Sequence, residues 1–296
     1  MMWLKVRLYS LIKEKKTITA IWKLLYTATG FSSSIFAFIE LLMVGMVGLA
    51  DLCKDYWWMI IFLGVLAAFV CNREKTTLKK TVKETQIEVQ INNLFNIKAD
   101  SYVIPTNTFF RTNMEDEYIS PKSVQGGFQL KYYNNKLTEL DLLIAQSLEK
   151  QEVKGTDSSD KFGSVKKYPI GTVAKVDCNG KHYYFMAIND VNSFGKPVGQ
   201  EYKNIDIALS GLINTIQTIG HFDELAIPLI GTGKAAIKNA YRENVVKDIV
   251  NKFADDPSRI VKKLIVCIRP EDYIEGTVKI GKVEKYLNYK CEFSDN

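Results

Sequence analysis

From residue 86 to the end of the 296-residue chain, short strand-like runs alternate with stretches of amphipathic helical spacing. This predicts a three-layer α/β/α fold built on a mixed sheet. Two observations carry the prediction. The run Leu225 to Ile230, LAIPLI, is apolar throughout and stops abruptly at Gly231-Thr232-Gly233, as a buried strand does when it feeds a glycine turn. The run Gln86 to Ile91, QIEVQI, alternates cleanly and reads as a half-buried strand. A third observation bounds the fold on its N-terminal side: residues 31–50 and 56–71 are almost wholly apolar, which predicts two membrane-spanning helices ahead of it.

The N-terminal region divides into three parts. Residues 1–30 carry Lys5, Arg7, Lys13, Lys15, Lys16 and Lys23 against Glu14, interleaved with Trp3, Leu4, Leu8, Leu11, Trp22 and Leu24, the pattern of a basic amphipathic helix on an anionic lipid surface. Residues 31–71 then predict a transmembrane hairpin whose spans are joined by Asp51 to Asp55, with Tyr56, Trp57 and Trp58 at an interface. Basic residues precede the first span, and Arg73, Lys75, Lys79, Lys80 and Lys83 follow the second. Both termini are therefore expected in the cytoplasm, with the protein multi-pass in the inner membrane. Glu40 is the one carboxylate inside these apolar stretches, and Gly64 and Ala68 are spaced for close helix contact. The charged stretch 72–85 reads as a linker, which places the domain at 86–296.

Within that domain Tyr102 to Ile104 predicts a short buried strand ended by Pro105, followed by a long loop from Thr106 to Phe128. Leu137, Leu140, Leu143, Ile144 and Leu148 mark a helix over 136–151, and residues 151–164 an exposed insertion. Asn179-Gly180, flanked by Thr172 to Asp177 and Lys181 to Ile188, is a strong hairpin signal. Ile205, Leu209, Leu212, Ile213 and Ile216 mark a helix over 201–219, another is expected directly after the glycine turn at 236–254, and Lys263 to Ile268 is a buried strand.

The glycine turn is where physical argument first places chemistry. A strand running into glycines and then a helix start would aim several backbone N–H groups at one point, which suits a phosphate or diphosphate. It is neither the dinucleotide fingerprint nor the P-loop, since Lys234 is followed by Ala235. Taken with the strand-to-polar-loop stretch Asn93 to Asn107 and with Gly126-Gly127, it resembles a macro domain, the ADP-ribose-binding fold. That resemblance implies that Asn107 faces the distal ribose, that Gly126 and Gly127 with Phe128 form a first glycine loop, and that Gly231, Thr232, Gly233, Lys234 and Ala235 wrap the diphosphate. Asn93 falls where the family usually has an adenine-reading aspartate, and Arg269 or Tyr273 could stack on the base.

Composition excludes several classes. The net charge of +6 is concentrated beside the apolar stretches, so basicity points to membrane lipid and not to nucleic acid. Five cysteines, Cys53, Cys71, Cys178, Cys267 and Cys291, show no CxxC or Cys/His spacing; neither a disulfide framework nor a metal site is expected. His182, His221 and the acidic Glu115, Asp116 and Glu117 form no recognisable catalytic motif, so no catalytic residue and no cofactor are assigned.

The hairpin-plus-macro arrangement is similar to the transmembrane-macro form of the ThsA effector family of type II Thoeris anti-phage defence. This resemblance implies a non-enzymatic receptor for an ADP-ribose-derived signalling nucleotide, made from NAD by a TIR-domain protein, that oligomerises and disrupts the membrane. A membrane-tethered ADP-ribosyl hydrolase and a scaffold for ADP-ribosylated partners are the alternatives.

Overall fold

The computed structural model describes residues 17–43, 57–67, 76–151, 153–219, 222–233 and 237–294. The chain forms two compact units, residues 1–75 and 76–296.

In the first unit, α1 (Thr17–Met43) is one continuous helix that runs through the expected boundary at residue 30, and residues 57–67 belong to a second helix, α2. The two touch where Gly64 sits on α1: a Cβ on Gly64 would lie 2.9 Å from the Ala28 carbonyl oxygen and 2.2 Å from Ser32 Oγ. The small residue at Gly64 is thus used for close helix contact; Ala68 lies outside the described residues. The expected transmembrane hairpin is corrected by these helices. Among the described residues no helix is long and apolar enough to cross a membrane. α1 has the length but carries Lys23, Thr27, Thr29 and three consecutive serines; residues 44–50, 56 and 68–71 of the two expected spans lie outside the described residues. The multi-pass inner-membrane placement and the topology inferred from those spans are corrected with them. Residues 1–16 of the expected amphipathic segment and the 51–55 link lie outside the described residues.

The second unit is built on one large mixed sheet, as expected. Five central strands, in spatial order β2 (Thr85–Ile91), β10 (Val261–Ile268), β9 (Phe222–Pro228), β3 (Ser101–Asn107) and β7 (Lys181–Val191), run parallel. Antiparallel β1 (Thr77–Val82), beside β2, and β6 (Val173–Cys178), beside β7, close the two edges. Residues 77–82, expected in a linker, are instead an edge strand paired with β2 from Thr77↔Gln90 to Val82↔Thr85. Their charges are what concealed them. Lys79 meets the buried Glu88 at 2.9 Å, Lys263 meets Glu88 at 3.2 Å, and Lys263 also meets Glu224 at 3.2 Å. Burial alone would raise the Glu88 carboxyl, but the bonds from the two lysines hold it below its usual range. A charged strand here is therefore part of a cross-strand ladder over four strands.

Helices cover both faces. On one lie α3 (Val124–Tyr132) and α4 (Leu137–Glu149), whose Phe128, Leu140, Ile144 and Leu148 pack on Ile104, Val176, Tyr183 and Phe185. On the other, α5 (Lys203–Ile219), α6 (Arg242–Ala254) and α8 (Ile280–Ser294) bury Leu209, Leu212, Val246, Ile249 and Leu287. The short α7 (Pro270–Ile274) follows β10, with Pro270 in its first turn. The exposed insertion carries its own hairpin, β4 (Thr156–Asp160) with β5 (Gly163–Lys167). The Asn179-Gly180 hairpin forms as expected, with φ of 50° and 70°, the pair of positive values that a two-residue turn with right-handed twist requires. A short β8 (Pro197–Val198) pairs with the end of β7.

Two segments at the carboxyl ends of the strands differ from the sequence expectation. β3 does not stop at Pro105 but continues to Asn107. Proline is tolerated because β3 pairs with β9 only at Ser101 and Tyr102, so one side of the strand needs no ladder bonds at residue 105. The glycine turn is also not followed at once by a helix: α6 starts at Arg242, and Ile237 N–H donates to the Gly231 carbonyl (3.0 Å), closing the turn on itself. The helix expected from 236 therefore begins only at Arg242, and what the turn itself can offer an anion is its backbone amides.

A candidate nucleotide cleft at the sheet switch point

The connections leaving β3 and β9 diverge. β3 leads into α3 and α4 on one face, whereas β9 leads through α6 on the other into β10. Neighbouring parallel strands whose connections depart to opposite faces leave a crevice at their carboxyl ends. Because their pairing ends at Tyr102, β3 and β9 splay beyond it, and a cleft of about 290 Å³ opens between their ends.

Its floor comes from both strands. Pro105, Thr106 and Asn107 end β3; Pro228 and Leu229 lead from β9 to Gly231, Thr232 and Gly233. Gly231 has φ 72°, and a Cβ there would meet Ile237 Cδ1 at 2.7 Å, so glycine is needed for the turn itself. Gly233 is different: among the described residues nothing beyond its chain neighbours lies within 4 Å of its would-be Cβ.

The register of β3 with β7 shifts at the end. Thr106 pairs with Ala187 but Asn107 pairs with Asn189, so Ile188 is an extra residue, a bulge. Bulges re-aim side chains next to sites. Here the bulge sets two asparagines opposite each other on the cleft floor. Asn107 Oδ1 accepts from Phe109 N–H (2.9 Å), and Asn189 Nδ2 donates to the Asp190 carbonyl (3.1 Å). Each side chain is fixed through one end and keeps hydrogen-bonding capacity at the other.

At the β10 end, Arg269 and Asp272 line the cleft. The Asp272 carboxylate is only 2% exposed and is bound by Arg269 Nε (3.0 Å) and Nη2 (2.8 Å) and by Arg242 Nη2 (2.9 Å). Two guanidinium groups around one carboxylate leave this end positive, and the fork geometry fixes the Arg269 plane. The Asp272 bonds raise Arg269 further above its ordinary value, so it stays charged. At the β7 end the lining includes Tyr118, Ile119, Ser120, Val191, Gly195 and Pro197.

Of the residues singled out from sequence, Asn107, Gly231, Thr232 and Gly233 meet in this cleft. Lys234 and Ala235 lie outside the described residues. The first glycine loop is not a loop: Gly126 and Gly127 are in the first turns of α3, capped by Ser123 Oγ accepting from Gly126 N–H (3.0 Å). Glycine is required at 126 because a Cβ would lie 2.1 Å from the Ser120 carbonyl oxygen, where the preceding loop folds over the helix. Phe128 is fully buried among Phe95, Tyr132, Tyr133, Tyr183 and Phe185 and lines no part of the cleft. Asn93 caps the short 3-10 turn Leu94–Asn96, its Oδ1 accepting from Phe95 N–H (3.0 Å), and is likewise outside the cleft lining. Arg269 lines the cleft, whereas Tyr273 is buried and does not. His182 binds Asp177 at 2.6 Å at the opposite end of β7, Asp116 binds Lys161 at 3.0 Å, and His221 is outside the described residues. Among the described residues no group of histidine, cysteine and carboxylate side chains is placed to hold a metal ion.

Asn189, Tyr118 and Asp272 were not singled out from the sequence. For Asn189 a signal existed: like Asn107, it is the first amide after a buried apolar strand. Tyr118 has no local signature, because its partner Asp160 lies far along the chain; Asp272 had one in Arg269, three residues before it.

A mixed α/β sheet with helices on both faces and a glycine-turned cleft at its switch point defines the macro-domain class. Residues 87–269 match the family described as Thoeris protein ThsA, Macro domain, and the chain belongs to that family. The chain is 25% identical over 154 residues to the Thoeris protein ThsA of Bacillus amyloliquefaciens (strain Y2), a match that covers 50% of this chain and 49% of that protein. It thus spans about half the length of that relative. Among solved structures, the Oceanobacillus iheyensis macrodomain with ADP aligns at TM-score 0.49 and 10% identity, over 72% of this chain and 97% of that one. The macrodomain of Thermus aquaticus DarG aligns at TM-score 0.41 and 14% identity, over 61% and 97%. Membership rests on the family match, and these two likenesses carry no part of it.

Proposed function

We propose that the chain is a receptor in Thoeris defence, whose macro domain binds an ADP-ribose-type nucleotide made by a TIR-domain protein. The observation that carries this reading is the cleft itself, with the amides of Gly231 to Gly233 between a pair of asparagines and a fixed arginine. Backbone amides suit a diphosphate, paired carboxamides suit ribose hydroxyls, and a flat cation suits a base or an anion. Calorimetric titration of the 296-residue chain with ADP-ribose tests it; absence of saturable binding at millimolar ligand would refute it.

Binding without turnover is favoured over hydrolysis by one feature. The only carboxylate in the cleft lining among the described residues is Asp272, and both its oxygens are engaged by Arg269 and Arg242, so it is poorly placed to take a proton from water. We infer self-association as the response to ligand. Trp57, Trp58, Phe62 and Leu66 on α2 are all more than half exposed, an apolar surface of the kind that pairs with another copy. Sedimentation with and without ADP-ribose reads this directly, and an unchanged profile would remove it.

A further inference from the structure

The β4–β5 hairpin stands apart from the main sheet, yet one of its side chains is among the most buried charges in the domain. The Asp160 carboxylate has 0% exposure. Its Oδ1 and Oδ2 accept from Arg111 Nη2 and Nε (3.0 Å each), and Oδ2 also accepts from Tyr118 Oη (3.0 Å). Arg111 further donates to the Gly163 and Ser164 carbonyls (3.2 and 3.1 Å), so it ties the hairpin turn to the loop after β3.

Tyr118 is where this clamp reaches the cleft. Its ring lines the β7 end, packs edge-on against Phe162 at 5.3 Å between centroids, and rests on Gly195, where a Cβ would be only 2.4 Å from Tyr118 Cδ2. Lys161 lies 4.8 Å from the Phe162 ring centre and bonds Asp116 at 3.0 Å, a second tie between hairpin and loop. The ring is therefore held from three sides, and the phenol donates to a buried anion. Burying an ion pair has a desolvation cost, and the geometric result of this one is the fixed orientation of a single cleft residue.

We propose that Asp160 is a positioning residue that acts through Tyr118, and that Tyr118 so held is the wall for the terminal ribose, setting a preference for ADP-ribose over ADP, an inference that rests on the nucleotide reading above. Strand order supplies the direction. With the diphosphate at the β9 turn and a ribose at Asn107 on β3, the next position along the sheet edge is β7, where Asn189, Gly195 and Tyr118 stand. A nucleotide that ends at its diphosphate does not reach them.

The test uses the wild-type chain, Tyr118→Phe and Asp160→Asn, each titrated with ADP-ribose and with ADP. Wild type is expected to prefer ADP-ribose. Tyr118→Phe keeps the ring and the Arg111–Asp160 pair but frees the ring's far edge. Its Kd for ADP-ribose should rise several-fold, with that for ADP unchanged. Asp160→Asn should do the same, and the double variant should be no worse than the more damaging single one. If Asp160→Asn does not fold, Tyr118→Phe decides alone. Equal losses for both ligands, or none for either, would overturn the proposal while leaving nucleotide binding intact. A wild type with no preference would overturn it too, and a wild type that binds neither ligand would overturn the receptor reading with it.

Discussion

Gly233 and Gly231 sit two residues apart in the same turn, and substitution should separate binding from folding. At Gly233 no atom of the described residues beyond its chain neighbours lies within 4 Å of the point a Cβ would occupy, and the residue lines the cleft. Gly233→Val should therefore fold normally while its methyl groups stand where ligand must approach the turn amides. Loss of even one amide contact to a charged diphosphate is worth about 1.5–3 kcal/mol, which raises Kd roughly 10- to 150-fold. Gly231→Val places a side chain at φ 72° and a Cβ 2.7 Å from Ile237 Cδ1. The left-handed backbone costs about 1–2 kcal/mol, and crowding Ile237 adds about 1–3 kcal/mol. For a domain of this size each kcal/mol lowers Tm by about 2–4 °C. Calorimetry with ADP-ribose and a thermal melt of each variant make the measurement. Gly233→Val with wild-type affinity, or with a Tm drop matching that of Gly231→Val, would refute the assignment of the turn as the diphosphate seat.

Asn189→Ala should weaken ADP-ribose binding by about 1 kcal/mol, roughly fivefold, with little effect on Tm, because the removed amide makes one local bond; an unchanged Kd would take Asn189 out of the site. Long incubation of the chain with ADP-ribose should leave the nucleotide intact by chromatography, and product in molar excess over protein would move the chain into the hydrolase class. Glu88 governs an acid limb of stability. Its carboxyl is held low in the folded state, so its contribution is fully present above the unfolded value of about 4.3 and is lost as pH falls through the lower folded value. Glu88→Gln should therefore lower Tm at neutral pH and converge with wild type at strongly acid pH. A constant difference across that range would show that packing, not charge, is at stake.

Much of the fold was legible because its signals are local. The period-2 alternation of Gln86 to Ile91, the apolar run into Gly231, the helical spacing of Ile205 to Ile216 and the Asn179-Gly180 turn each report the burial or backbone geometry of their own segment. Asn107 and the Gly231 turn were legible for the same reason, as a strand end and a glycine break. What failed were inferences that needed neighbours. Hydropathy at 31–71 spoke for two spans, but α1 begins at Thr17, and that brings Lys23 and several hydroxyl side chains into the same helix. Residues 77–82 looked like a linker because Lys79 finds its partner only in Glu88 on the next strand. Gly126 looked like part of a phosphate loop because the backbone that demands a glycine there, Ser120 to Pro121, is brought back by a turn.

Sequence alone determined the layer architecture, the order of most strands and helices, and one wall of the cleft. These follow from periodicity and from glycine, which act within a few residues. Tertiary structure alone decided that β3 and β9 part after Tyr102, that a bulge at Ile188 sets Asn189 beside Asn107, and that Arg242 and Arg269 share Asp272. It also decided that an exposed hairpin anchors Tyr118 through Asp160. Apart from the Arg269–Asp272 fork, these contacts join residues distant in the chain, and hydrogen-bond geometry between them is fixed only when the sheet has assembled.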